Sequence, residues 1–61
     1  MREKIKQLIA EQIIEQSKLK LMIRNLSVIN ELSDAQLSEL LDEIAKIETI
    51  IQKLRQFLKE S

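Results

Sequence analysis

The sequence predicts an all-α protein, an antiparallel helical hairpin with helices near residues 2–30 and 34–60, in a single domain over residues 1–61. Glycine and proline, the residues that most often interrupt helices, are both absent. Hydrophobic residues make up 44% of the chain and charged residues 33%, a mixture typical of long helices and coiled coils. In both halves apolar residues recur three and four positions apart, which is the period of an amphipathic helix.

The second helix has the more regular pattern. Its apolar residues alternate steps of three and four over three heptads, and they form a continuous seam. Leu41, Ile50 and Phe57 flank this seam on both sides, so the apolar stripe favours packing against more than one neighbour. The predicted core and dimer-interface residues of this helix are Leu37, Leu40, Ile44, Ile47, Ile51, Leu54 and Leu58.

Several helix-start signals coincide in the middle of the chain. Ser33 is a candidate N-cap, and Gln36 three residues later completes a Ser-x-x-Gln capping box. Leu32 and Leu37 have the spacing of a hydrophobic staple. Asp34 places a negative charge in the first turn, where the helix dipole favours it. These signals predict that the second helix begins there and that the chain reverses just before it.

The first half of the chain is apolar over much of its circumference. A broad face of it supplies the remaining core and dimer-interface candidates, which are Ile5, Leu8, Ile9, Leu19, Met22, Ile23 and Leu26. Ile14, Leu21 and Val28 add a second line at seven-residue spacing, nearly opposite part of that face. We therefore expect the first helix to be buried from more than one side.

One continuous helix is the alternative to the hairpin. The seam of the second helix extends backward in frame, but it then meets five polar residues that a continuous coiled coil would bury: Arg2, Gln12, Gln16, Asn30 and Ser33. A buried Asn can set the register of a coiled coil at one position, whereas five polar residues in the seam favour the hairpin. The alternative would make the chain a coiled-coil oligomerisation segment.

The chain is short for a protein that folds alone. A domain of about 60 residues buries only about 60% of its unfolded surface, and small folds are commonly supported by disulfides, metals or self-association. Cysteine and histidine are both absent, so self-association is the support that the composition allows. Two hairpins that share their remaining apolar lines form a four-helix bundle, and we expect such a homodimer.

Charge differs between the two ends of the predicted hairpin. The end that carries the termini holds a candidate patch for a partner or for phosphate, made of Arg2, Lys4, Lys6, Lys53, Arg55 and Lys59. Cations in the first turn of a helix oppose its dipole, which makes this patch a functional candidate. The carboxylates of the corner end are Glu31, Asp34, Glu39, Asp42 and Glu43. Opposite charges therefore favour a head-to-tail dimer, although each surface pair contributes less than about 1 kcal/mol.

The composition also disfavours several classes of function. Without histidine the usual nucleophile–base pairs and the Glu-x-x-His di-metal sites cannot form, so we expect no enzyme, no metal and no other cofactor. No apolar run approaches the roughly 18 residues of a membrane span. The first residues lack the apolar region of a signal peptide, and we expect a cytoplasmic protein.

These features favour a small non-enzymatic protein-interaction module, regulatory or adaptor in role, that acts as a helical-hairpin homodimer and binds another protein. The alternative class is a four-helix bundle that binds RNA or DNA through the basic terminal end. Ten acidic and ten basic residues balance over the whole chain, and Phe57 is its one aromatic residue, which leaves little for stacking on bases. The sequence therefore favours the protein partner.

Overall fold

Two helices of equal length fold back on each other. The computed structural model describes residues 1–60, in which α1 spans Arg2–Val28 and α2 spans Asp34–Glu60, with 27 residues each. The helices pack together and run antiparallel, since Arg2 is hydrogen-bonded to Leu58. The predicted hairpin is confirmed, because the longest dimension is 45 Å, half of the roughly 90 Å that one helix of this length would reach.

The end of α1 differs from the expected boundary at residue 30 by two residues. Asn30 has a left-handed backbone, with φ 57°, and its N–H donates to the Ser27 carbonyl oxygen at 3.1 Å. The Glu31 N–H donates to the Leu26 carbonyl oxygen at 3.0 Å. These are the two hydrogen bonds of a Schellman cap, in which Gly or Asn supplies the left-handed residue.

The start of α2 is capped by a reciprocal pair of hydrogen bonds. The Gln36 N–H donates to Ser33 Oγ at 3.2 Å, and the Ser33 N–H donates to Gln36 Oε1 at 3.1 Å. This is the capping-box geometry, and it satisfies two N–H groups that a helix start otherwise leaves without partners. Two adjacent caps thus allow the chain to reverse within a few residues.

The core of the hairpin is one seam wide. Among residues 1–60, Ile51 is the one apolar side chain that is buried, with 1% of its surface exposed. Met22, which the sequence grouped with the core and interface residues, is 47% exposed and lies outside the seam. The other candidates are half-buried along the seam: Ile5, Leu8, Ile9, Leu19, Ile23, Leu26, Leu37, Leu40, Ile44, Ile47, Leu54 and Leu58.

The hairpin exposes more surface than a folded protein of its mass usually does. Its accessible surface is 4907 Å², whereas a monomer of 7.2 kDa is expected to expose roughly 4100 Å². Its radius of gyration is 14.2 Å, compared with roughly 10.5 Å for a compact domain of this length. The excess surface, roughly 800 Å², matches one partner's share of a standard protein interface.

Candidate interaction surfaces

A polar layer interrupts the apolar seam near the middle of the hairpin. Gln16 on α1 is buried, with 8% of its surface exposed. Its Nε2 donates to Glu48 Oε2 at 3.0 Å and, at 3.4 Å, to the Ile44 carbonyl oxygen. Gln52 Nε2 donates to the other carboxylate oxygen, Glu48 Oε1, at 2.9 Å. The carboxylate is therefore held between amides from both helices.

The surroundings of Glu48 show which residues of α1 and α2 lie on the same side of the hairpin. Hydrogen bonds from Gln16 and Gln52 lower the pKa of the Glu48 carboxyl. Desolvation opposes this shift, and the positive charges of Arg55 and Lys20 lower the pKa further. Gln16 and Lys20 belong to α1 and the other three residues to α2. One face of the hairpin therefore contains this polar layer and a cation from each helix.

Helical periodicity extends this face along both helices. Arg24 lies one turn beyond Lys20, and Lys6 lies two heptads before it. Lys59 lies one turn beyond Arg55 in the same way. We call this side the basic face, and its six cations are Arg2, Lys6, Lys20, Arg24, Arg55 and Lys59.

The basic patch that the sequence placed at the terminal end is divided between two sides of the hairpin. Four of its members belong to the basic face. Lys4 lies two positions from Lys6, and Lys53 lies two positions from Arg55. Two positions along a helix correspond to about 200°, so Lys4 and Lys53 lie on the opposite side. The six residues therefore do not form one patch.

Two of the cations at the start of α1, Arg2 and Lys6, have partners within the hairpin. Arg2 Nη1 donates to the Leu58 carbonyl oxygen at 3.0 Å, near the C-terminal end of α2. Lys6 Nζ lies 3.6 Å from Glu3 Oε1 in an exposed ion pair. The unfavourable position of these charges relative to the α1 dipole is thus offset locally.

Sequence reasoning missed two cations of the basic face. Lys20 and Arg24 lie toward the acidic corner end of the chain, so a grouping of charges by distance from the termini leaves them out of the basic patch. The seven-residue spacing of Lys6, Ile13 and Lys20 is the signal that could have placed them on one side of α1.

The opposite side of the hairpin carries exposed apolar side chains as well as Lys4 and Lys53. Met22 and Arg24 lie on opposite flanks of the seam residue between them, since successive helical residues are about 100° apart. Ile50 and Gln52 are separated in the same way. One heptad further along each helix come two more large apolar residues on the same side as Met22 and Ile50. We call these four apolar residues the apolar face: Met22, Ile29, Ile50 and Phe57, each 43 to 62% exposed.

A third surface follows the outer edge of α1. Ile14, Leu21 and Val28, the second apolar line found in the sequence, are all exposed. They lie away from α2, and we call them the outer stripe. The basic face, by comparison, exposes two large apolar side chains, Ile13 and Leu41.

Comparison with known proteins adds no relative. No family model, no curated protein and no solved structure matches the chain. Within residues 1–60, neither helix has the length and apolar character needed to cross a membrane. The same residues contain no group of three or more acidic side chains placed to hold a metal ion. The three surfaces are therefore the candidate functional features of the described chain.

Proposed function

We propose that the chain is a small protein-interaction module that acts as a homodimer, in which two hairpins form a four-helix bundle through their apolar faces. The apolar face is the observation that carries this proposal, because it places four large, half-exposed apolar side chains on one side. Complete removal of such a side chain from water stabilises by about 1.5–3 kcal/mol. The antiparallel register places Met22 and Ile29 toward the corner and Ile50 and Phe57 toward the termini. Exposed apolar patches on small proteins commonly mark interfaces.

The dimensions of the hairpin suit this interface. A face 45 Å long and 15 Å wide covers roughly 700 Å², close to the roughly 800 Å² that each partner contributes to a standard interface. The basic face is less suited to self-association, since it would bring six cations against their own copies. These properties support the apolar face as the side that pairs.

The outer stripe gives the dimer a surface for a second protein. Ile14, Leu21 and Val28 lie away from both the seam and the apolar face, so the proposed dimer leaves them exposed. A helix from another protein that packs on this stripe would complete an adaptor arrangement. The proposed role of the chain is accordingly protein interaction without catalysis.

Size-exclusion chromatography with light scattering tests the dimer. The wild-type chain is expected at about 14 kDa, twice its 7.2 kDa, across a dilution series from 200 to roughly 10 μM. A variant with Met22→Glu and Ile50→Glu places one charge per helix on the apolar face. It is expected to elute as a helical monomer, because two buried, unpaired charges per subunit oppose association.

The matched control is Ile14→Glu with Leu21→Glu, which places the same charges on the outer stripe. Those residues are as exposed as the apolar face, and the control is expected to remain dimeric. Circular dichroism is the check that both variants keep their helices. A monomeric wild-type chain at every concentration, or equal loss of the dimer in both variants, would contradict the proposal.

A further inference from the structure

The chain as a whole is neutral, but its positive and negative charges are distributed unevenly over the surface of the hairpin. Ten cations and ten carboxylates give a net charge of zero, but six of the cations lie on the basic face. The carboxylates of that face are Glu3, Asp34 and Glu48, which leaves it with a net charge of +3. The remainder of the chain carries −3. The basic face is therefore a local electropositive surface on a neutral protein.

Most cations of the basic face are not engaged in ion pairs. The ion pairs among residues 1–60 are Lys6–Glu3, Lys18–Glu15 and Lys46–Glu43, and one of them involves this face. Lys20, Arg24 and Lys59 have no carboxylate within ion-pair distance in the described chain. These side chains are exposed, so their charges are available to an anionic partner.

The cations form two groups along the face. Arg2, Lys6, Arg55 and Lys59 lie near the termini, and Lys20 and Arg24 lie toward the corner. Fourteen residues separate Lys6 from Lys20, which corresponds to about 21 Å along α1. The groups therefore span a rigid, extended surface, as expected for contact with a partner whose negative charge is distributed along its length.

The shape and chemistry of this face fit a nucleic-acid duplex better than a single strand. Single strands are bound largely by stacking of bases on aromatic side chains, and the one aromatic residue, Phe57, belongs to the apolar face. Two helices side by side are also broader than the major groove, which is about 12 Å wide and admits a single helix. Without base stacking or insertion into the major groove, the face can contact a duplex through its phosphate backbone, and Lys and Arg are the residues that make such contacts.

We infer that the basic face binds the phosphate backbone of duplex nucleic acid without sequence preference. Because the apolar face lies on the opposite side of the hairpin, self-association leaves the basic face accessible. The inference goes beyond the proposed dimer, and the two are tested by different measurements, so that either can fail while the other holds.

Fluorescence anisotropy with a labelled 20-base-pair duplex tests the inference. The wild-type chain is expected to bind duplexes of unrelated sequence at 50 mM salt with similar affinity. Binding is expected to weaken steeply toward 200 mM salt, because each phosphate contact adds about 0.9 to the slope of log affinity against log salt concentration. A variant with Lys20→Gln and Arg24→Gln removes two contacts, so its slope is expected to be smaller by about 1.8.

The matched control is Lys18→Gln with Lys46→Gln. It lowers the net charge by the same two units but acts outside the basic face, and its affinity and slope are expected to match the wild type within about twofold. Absence of duplex binding at 50 mM salt would overturn the inference, as would equal weakening in both variants. Tighter binding to a single strand, or binding to polyglutamate without binding to duplex, would overturn it in favour of another anionic partner.

Discussion

At the scale of single residues, the polar layer buries less apolar surface than a fully apolar seam would, and in return it specifies how the two helices align. Gln16 occupies a seam position where an apolar residue would bury more surface, and replacement of buried polar groups by apolar ones is often neutral or stabilising. Its amide donates to Glu48 and to a backbone carbonyl across the helix pair. A slide of α1 by one heptad would separate Gln16 from Glu48 and leave a buried amide without its carboxylate partner. The layer therefore fixes the register of the two helices.

The pH dependence of stability is the prediction that belongs to Glu48. The pKa of Glu48 in the folded hairpin lies below its ordinary value of 4.5. Ionisation of this carboxyl therefore stabilises the hairpin fully at pH values above 4.5. The contribution is lost as the pH falls through the lowered folded pKa. Glu48→Gln removes the titrating group, and its urea midpoint is expected to fall less between pH 7 and pH 3 than that of the wild type.

Glu39→Gln provides the comparison for this measurement, because Glu39 is exposed and makes no side-chain hydrogen bond or ion pair within residues 1–60. It also removes one carboxylate and is expected to follow the wild-type pH profile more closely than Glu48→Gln does. Identical profiles for Glu48→Gln and the wild type would show that the polar layer does not couple protonation to folding.

At the scale of secondary-structure elements, the left-handed residue at the end of α1 determines where the chain can turn. Asn30→Ala is expected to lower the free energy of unfolding by about 1 kcal/mol, because Ala adopts a left-handed backbone less readily than Asn does. Asn30→Gly is expected to equal or exceed the wild type. Urea denaturation at one fixed protein concentration measures both. Asn25→Ala, an exposed change inside α1, is expected to be neutral or slightly stabilising, and a similar loss there would contradict the role of the turn.

The elements that sequence predicted well are those with local signals. The seam of α2 and its capping box depend on residues three and four apart, and such spacing is visible in the sequence itself. The end of α1 was placed two residues late because it depends on the backbone of one residue, Asn30, which Asn permits but does not require. Which residues of the two helices share a face of the hairpin was harder to predict than where each helix ends. Placing Lys20 and Arg55 on the same face of the hairpin requires both the orientation and the register of the two helices, which the polar layer reveals and a single helical pattern does not.

At the scale of the whole molecule, the thin core, the apolar face and the basic face have one physical explanation. A two-helix protein has only one seam to bury, so every other line of residues on its helices is available for contacts with partners. The chain exposes more large apolar side chains on the apolar face than on the basic face, and it places six of its ten cations on the basic face. Such a division would let the apolar face self-associate while the basic face stays hydrated and charged, so the two proposed functions would not compete for the same surface.

The orientation of the two hairpins in the proposed dimer is the prediction at this scale. The terminal end is basic and the corner end is more acidic, so head-to-tail packing sets opposite charges together.

Because the chain has no cysteine, Glu31→Cys introduces a single site for a nitroxide label in the corner. Head-to-tail hairpins 45 Å long place the two labels about 40 Å apart by pulsed electron spin resonance, since each corner then lies beside the partner's termini. Hairpins packed the same way round place both corners together, and a distance near the roughly 10 Å spacing of packed helices would refute the head-to-tail arrangement. The same label in the Met22→Glu, Ile50→Glu background is expected to show no dipolar signal, which ties the measured distance to the apolar face.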